Sequence, residues 1–194
     1  MPATRILIAE DNDLVSLTLE EQLKDLGYEV VGIARSGTEA LNLAQRLNPD
    51  LIIMDIRMPE MDGTEAASRI RNIRPVPIIM LTAYADKDTI RRAEQAGALA
   101  YLVKPVNENE LPPAIQIAMS RFRDMQQLTS KVSELEESLE ARKRVERAKG
   151  ILMQRLGLSE REAFERLRQR ARDKRIKMGE IAQAIIEAED LLRQ

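Results

Sequence analysis

The sequence predicts an α/β domain on a doubly wound five-stranded parallel sheet, followed by a long helix and a small three-helix all-α domain. Three observations lead there. Five short apolar runs alternate with helix-period segments over the first part of the 194-residue chain. A helix-period pattern then continues with no firm stop from Glu110 to Leu156. Charge is also partitioned: Met1–Glu140 holds about 15 basic and 23 acidic residues, Ala141–Gln194 about 15 and 9. A front of net charge about −8 and a back of about +6 argue for two domains with different partners.

The apolar runs are Ile6–Ala9, Val30–Ala34, Leu51–Met54, Ile78–Leu81 and Ala100–Val103. Each is short, rich in Ile, Val, Leu or Met and mostly unalternating, as in parallel strands covered on both faces. Between them lie helix signals at Leu14–Leu26, Thr38–Leu47, Thr64–Ile73 and Asp86–Ala96. Gly27, Asn48-Pro49 and Gly97 supply ordinary helix stops. Five such repeats build a flavodoxin-like sheet of strand order 2-1-3-4-5, one of the two common doubly wound orders. The next helix tolerates Pro112 and Pro113 because they fall in its first turn. Met125, Leu128, Val132, Leu135 and Leu139 then follow a 3-4 spacing, a short coiled-coil seam through which two chains could pair. A single solvated strut is the competing reading. Beyond it, Glu140–Leu156 stops at Gly157, and Ser159-Glu-Arg-Glu162 is a capping box. That box opens a helix with Ala163, Phe164, Leu167 and Ala171 on its apolar face. A last helix carries Met178, Ile181, Ala182, Ile185 and Leu192. The expected domains are 1–125, a helical linker at 126–140, and 141–194.

Composition narrows the chemistry. Cys is absent, which excludes disulfides and thiolate zinc sites. His is absent too, so the usual neutral-pH base and nucleophile activator is missing. Any cation must be held by oxygen, which points to Mg²⁺ or Ca²⁺. With no signal peptide and no apolar run of membrane-spanning length, a cytoplasmic protein is expected.

Three carboxylates fall at strand ends: Glu10 and Asp11 after the first strand, Asp55 at the end of the third. In the order 2-1-3-4-5 these strands are neighbours, and their carboxyl ends border the ligand crevice. At about 4 Å and an effective dielectric of about 20, each like-charge pair repels by roughly 4 kcal/mol. A divalent ion repairs that fault, and Mg²⁺ suits a few carboxylates plus water and phosphate. Thr82 closes the fourth strand and Lys104-Pro105 the fifth. The ammonium and the hydroxyl can each meet a phosphoryl oxygen, and a cis Pro105 would aim Lys104 inward.

Ile8-Ala-Glu-Asp11, the run Asp55-Ile-Arg-Met-Pro-Glu-Met-Asp-Gly63, Leu81-Thr-Ala83 and Tyr101-Leu-Val-Lys-Pro105 resemble the receiver domain of bacterial response regulators. The resemblance covers roughly two thirds of the chain. It implies that Asp55 accepts a phosphoryl group from a sensor histidine kinase. Glu10, Asp11, Asp55 and the backbone carbonyl of Arg57 would then hold Mg²⁺, although many members carry Asp where this chain has Glu10. It further implies that Thr82 and the Ala83 amide close on the phosphate while Tyr101 turns inward. Plain packing is the other reading of Tyr101. Bulky Arg57 and Tyr84 would flank the phosphate and restrict attacking water.

Arg142–Lys177 is the basic stretch, with about 14 Lys or Arg against 5 acids. Its charges lie on helices with apolar opposite faces, so they form stripes; Arg161, Arg168 and Arg172 share one sector. The segment Arg142-Lys-Arg-Val-Glu-Arg-Ala-Lys-Gly-Ile-Leu-Met153, followed by Gly157-Leu-Ser-Glu-Arg-Glu-Ala-Phe164, resembles the ANTAR domain of transcription antiterminators. That resemblance covers about the last 55 residues. It implies binding to tandem RNA stem-loops in nascent transcripts. Phe164 reads as buried, so Arg planes would do any stacking, and the favoured RNA contacts are Arg144, Arg147, Lys149 and Arg168. The alternative is a DNA-binding transcriptional response regulator, but no helix-turn-helix with an exposed base-reading cluster is evident. An effector enzyme or phosphate sink is the third reading. No second catalytic constellation follows residue 110, which weighs against an enzyme.

Overall fold

The structure, a computed structural model, describes residues 3–83, 91 and 95–192. Apart from Arg91, Gln95 and Ala96, the helix expected over Asp86–Ala96 lies outside the described residues, as does Tyr84. In chain order the elements are β1 (Arg5–Ala9), α1 (Asp13–Asp25), β2 (Glu29–Ala34), α2 (Gly37–Leu47), β3 (Leu51–Asp55) and α3 (Gly63–Ile73). There follow β4 (Ile78–Thr82), β5 (Ala100–Val103), a 3-10 turn at Glu108–Glu110, α4 (Leu111–Leu156), α5 (Glu160–Lys174) and α6 (Met178–Leu192). The strands form one sheet in the order β2-β1-β3-β4-β5, every pair parallel. This is the expected fold.

Side-chain caps set the helix starts. The Asn12 side chain accepts the N–H groups of Leu14 and Val15, Ser36 that of Glu39, and Asp62 that of Thr64. Each cap satisfies donors that the helix itself leaves unpaired. As a result the three helices begin one residue earlier than their apolar periodicity implied.

The sheet is buried on two sides, and strand alternation sorts its residues between them. Ile6, Ile8, Leu51, Ile53, Ile79 and Leu81 pack with Leu19 and Leu23 of α1 and with Leu111 and Ile115 of α4. Leu7, Ala9, Ile52, Met54, Ile78 and Met80 pack with Ala40 and Ala44 of α2 and Ala66, Ala67 and Ile70 of α3. Both edge strands depart from the reading of five fully covered strands: β2 buries only Ala34, and β5 is more open still. Only Leu102 of its four residues is buried; Tyr101 and Val103 are exposed.

The chain divides into two compact units, Met1–Gln126 and Gln127–Gln194, with the 46-residue α4 running across the division. Along α4 the seam residues Met125, Leu128, Val132, Leu135 and Leu139 are all exposed in the single chain. In the second unit Val145, Ala148, Leu167, Ala171, Ile181, Ala182 and Ile186 form the core. Ser159 and Glu162 make the reciprocal capping box expected at the start of α5.

The apolar residues of this unit are covered unequally, and Phe164 departs from its expected burial. Phe164 is 37% exposed, because α5 buries only the single row Ala163, Leu167 and Ala171. At 3.6 residues per turn Phe164 stands about 100° from Ala163 and about 20° beyond Ala171, at the open margin of that row. Leu156, the last residue of α4, is exposed where the chain turns through Gly157 at φ 65°. On α6 it is Ile186 that is buried, with Ile185 only partly covered. Leu167 is the largest residue of the α5 row, so Leu167→Ala should cost about 2–5 kcal/mol. Scanning calorimetry should show a transition of the second unit moving down while that of the sheet unit holds; an unchanged thermogram would contradict this core.

Candidate functional site

The carboxyl ends of β1, β3 and β4 and the loop after β5 meet at one edge of the sheet. Asp55 is the last residue of β3, and its neighbour β1 ends one residue before Glu10. Glu10 continues the pairing, its N–H donating to the Ala34 carbonyl at 2.9 Å. One oxygen from each of Glu10, Asp11 and Asp55 lies within 4.8 Å of the others. Asp11 is exposed, whereas Glu10 and Asp55 are buried. Lys104 reaches in from beyond β5: its Nζ donates to Asp55 Oδ2 at 2.6 Å and stands 2.6 Å from Glu10 Oε2. The second contact is an ion pair without hydrogen-bond alignment, so Glu10 Oε2 is buried and lacks a hydrogen-bond donor. The Lys104–Pro105 peptide is cis. Thr82, at the end of β4, is buried beside this cluster, and Ala83 follows it at the surface. Tyr101 is 47% exposed on β5, its ring outside the core.

The loop from β3 to α3 is held tightly. The Arg57 N–H points at Asp55 Oδ1 (3.3 Å), and the Gly63 N–H donates to the Ile56 carbonyl. A Cβ on Gly63 would lie 1.9 Å from the Asp55 carbonyl oxygen, and one on Gly37 would lie 2.3 Å from the Met61 carbonyl oxygen. Both glycines therefore permit backbone approaches that fix Asp55 from behind. The sequence reading quoted Gly63 within a motif but gave it no role. A glycine eight residues beyond an acidic strand end is the signal that was available.

Burial pushes the Glu10 carboxyl above its ordinary range, and the Asp55 charge adds to this; Lys104 opposes it. For Lys104 burial acts downward, yet its hydrogen bond to Asp55 and its close ionic contact with Glu10 prevail and raise it. The fully charged pair thus occupies the pH window above the raised Glu10 value and below the raised Lys104 value. The stability Lys104 gains from its partners is complete below its unfolded pKa and disappears as pH climbs through its folded one. A hard, all-oxygen donor set with one buried carboxylate oxygen short of a donor fits a divalent cation.

The basic residues of the second unit divide into two groups. Arg147 donates to both oxygens of Asp190, at 2.8 and 3.2 Å. Arg155 makes a bidentate pair with Glu189, both bonds 2.9 Å. Lys149 is only 7% exposed, its ammonium between Glu146 Oε2 (2.8 Å) and Glu160 Oε1 (2.7 Å). Those two carboxylates hold it above the usual lysine range. Arg144 is half-buried, with its Nε enclosed and lacking an acceptor. Arg168 pairs with Glu165 at 2.7 Å on the exposed side of α5. Of the four expected RNA contacts, Lys149 is thus buried and Arg144 partly covered, while Arg147 and Arg168 are exposed but ion-paired.

A doubly wound sheet of this order, with a lysine-bridged acidic cluster at its carboxyl edge, defines a signal receiver domain. The chain matches the response regulator receiver domain over residues 6–116 and the ANTAR domain over residues 133–186. It is 48% identical over 183 residues to the transcriptional regulatory protein PdtaR of Mycobacterium tuberculosis, covering 94% of this chain and 89% of that protein. Regulatory protein AtoC of Escherichia coli is 36% identical over 136 residues, 70% of this chain and 28% of that one. Among solved structures, the receiver domain of a modulated diguanylate cyclase from Desulfovibrio desulfuricans aligns with TM-score 0.59 at 36% identity. It covers 63% of this chain and 98% of its own. A chemotaxis response regulator of Vibrio cholerae aligns with TM-score 0.56 at 32% identity, covering 60% and 99%. The chain belongs to the response regulators of two-component signalling and carries a receiver domain and an ANTAR domain. Among the described residues no helix is long and apolar enough to cross a membrane.

Lys104 competes with any cation for the same carboxylates. Lys104→Met should therefore tighten Mg²⁺ binding by about tenfold, roughly 1.4 kcal/mol, in isothermal titration. An unchanged or weaker affinity would show that the ammonium and the metal do not share this site.

Proposed function

We propose that this chain is a phosphorylation-controlled regulator that takes a phosphoryl group on Asp55 from a sensor histidine kinase and acts by binding RNA to control transcription antitermination. The observation that carries this reading is the Lys104 ammonium, 2.6 Å from both Asp55 and Glu10 at the carboxyl edge of the sheet. In this reading residues 1–125 are the receiver, 126–140 a helical linker that can pair two chains, and 141–194 the output domain.

The residues divide the work. Asp55 is the acceptor, held from behind by the close backbone at Gly63. Glu10, Asp11, Asp55 and the Arg57 carbonyl would hold Mg²⁺, which when bound supplies positive charge opposite the equatorial phosphoryl oxygens. Lys104 keeps one side of the acceptor electrostatically positive, and on phosphorylation its ammonium transfers from the Asp55 carboxylate to a phosphoryl oxygen. Thr82 and the Ala83 amide, at the end of the adjacent strand, donate to another. These contacts exist only in the phosphorylated state, so they shift the equilibrium of the β4–β5 side, where Tyr101 lies exposed. The excess of basic residues in the second unit suits a polyanion, and paired stem-loops offer both phosphates and unstacked loop bases.

Asp55→Asn should abolish Mg²⁺-dependent labelling by acetyl phosphate, followed by intact-mass spectrometry. Persistent labelling would place the acceptor elsewhere. An Asp55 variant that still folds, shown by an unchanged melting temperature, keeps the result interpretable.

A further inference from the structure

This inference rests on the RNA-binding reading above and assigns its surface. On α4 Lys149 is neutralised by Glu146 and Glu160 and Arg155 by Glu189, pairs in which one member is buried, whereas Lys143 and Arg147 meet Glu140 and Asp190 in exposed pairs. A guanidinium or ammonium that must first leave a carboxylate is a poor phosphate ligand. The case of Lys149 is strongest, since withdrawing it would leave carboxylates without their cation.

The outer face of α5 differs. Arg161, Phe164, Arg168 and Arg172 are exposed. They follow each other at steps of three, four and four residues, which places them in one sector of about 80° along roughly 16 Å of helix. Among the described residues no ion pair engages Arg161 or Arg172. Arg168 meets Glu165 in a pair exposed on both sides, the kind that contributes little and exchanges readily. The remaining acids of α5 are drawn elsewhere: Glu160 to Lys149, Glu162 to the Ser159 cap, and Asp173 to Gln169. Phe164 sits inside this cationic stripe, 37% exposed and thus presenting its ring to solvent. Aromatic faces flanked by arginines are what unstacked loop bases and their phosphates require.

We propose that the RNA-contacting surface is this face of α5, with Arg161, Arg168 and Arg172 on phosphates and Phe164 as the platform on which a loop base stacks. The occupant is single-stranded loop RNA. Charge complementarity argues for it, because the stripe carries three guanidiniums, of which among the described residues only Arg168 meets a carboxylate, in an exposed pair.

The test uses the full chain, with and without beryllofluoride and Mg²⁺, and a labelled synthetic RNA of two short hairpins read by fluorescence anisotropy. The triple variant Arg161→Gln, Arg168→Gln, Arg172→Gln should bind at least about thirtyfold more weakly. The slope of log K against log salt should flatten by about 2, the loss of three phosphate contacts. Phe164→Leu should weaken hairpin binding about tenfold and leave a fully paired duplex of equal length unaffected. Removing equal charge from α4 with Lys131→Gln, Arg142→Gln, Lys143→Gln should change affinity by no more than about threefold, since few phosphate contacts would be lost. The lysine triple Arg161→Lys, Arg168→Lys, Arg172→Lys should retain the wild-type salt slope, which separates charge from folding.

If wild type binds the hairpins and the α5 variants bind equally well, the assignment of this face fails while the RNA reading stands. If wild type ignores the RNA in both phosphorylation states, the RNA reading itself fails. If Phe164→Leu instead disperses an oligomer in sedimentation and RNA affinity holds, the face is a protein contact and the proposal is overturned.

Discussion

Three carboxylates and one ammonium crowd the carboxyl edge of the sheet, and this crowding governs the receiver unit. Glu10, Asp11 and Asp55 lie within 4.8 Å of one another, and Lys104 bridges the two buried members. Like charges at such distances are tolerated only when an opposite charge is among them. The strand order supplies the geometry. Because β1 neighbours β3, Glu10 and Asp55 are adjacent; because all strands run parallel, every one of these ends lies on the same side. Lys104 comes from beyond the edge strand β5, yet its ammonium touches side chains two and three strands away. One side chain thus ties together the ends of strands from β5 across to β1.

The surroundings of this cluster are unequal. On the α2–α3 side, alanines at 40, 44, 66 and 67 let helices approach the sheet closely, and Gly37 and Gly63 bring loop backbone to within contact of Met61 and Asp55. Nothing there can yield without colliding with backbone. On the β5 side the covering is thin: Tyr101 and Val103 are exposed and a single residue of the strand is buried. The adjoining strand β4, by contrast, is buried at all five of its residues, so the thin covering is confined on this side to β5.

Much of this was legible in the residues. Fully buried parallel strands are continuous apolar runs, so Leu51–Met54 and Ile78–Leu81 could be placed, and with them the acid and the threonine that close them. The edge strand was harder, since Ala100–Val103 looks as apolar as its neighbours and only the sheet order shows that one side is open. Helix starts shifted by one residue because caps such as Asn12 and Asp62 act through hydrogen bonds, not periodicity. Phe164 was misplaced because four apolar residues in a helix suggest one broad face, whereas contact with two thin partners buries a single row. The pairs Arg147–Asp190 and Arg155–Glu189 join residues 43 and 34 positions apart, which no local pattern can reveal.

Those long-range pairs explain how so small a unit keeps its shape. Its core has four residues larger than alanine, and α5 contributes only Leu167 and two alanines to it. A core of that size is marginal on apolar burial alone. Each charged contact runs from α4 to another helix: Lys149 to the start of α5, Arg147 and Arg155 to the end of α6. Lys149 and Glu189 are themselves buried, so each needs its partner to remain in place, and losing one charge would strand the other. The same basic residues that make α4 look like a nucleic-acid ligand in the sequence are therefore structural ties. Once they are engaged, part of the unit's remaining positive charge lies on α5, where Arg161 and Arg172 are exposed and carry no ion pair among the described residues.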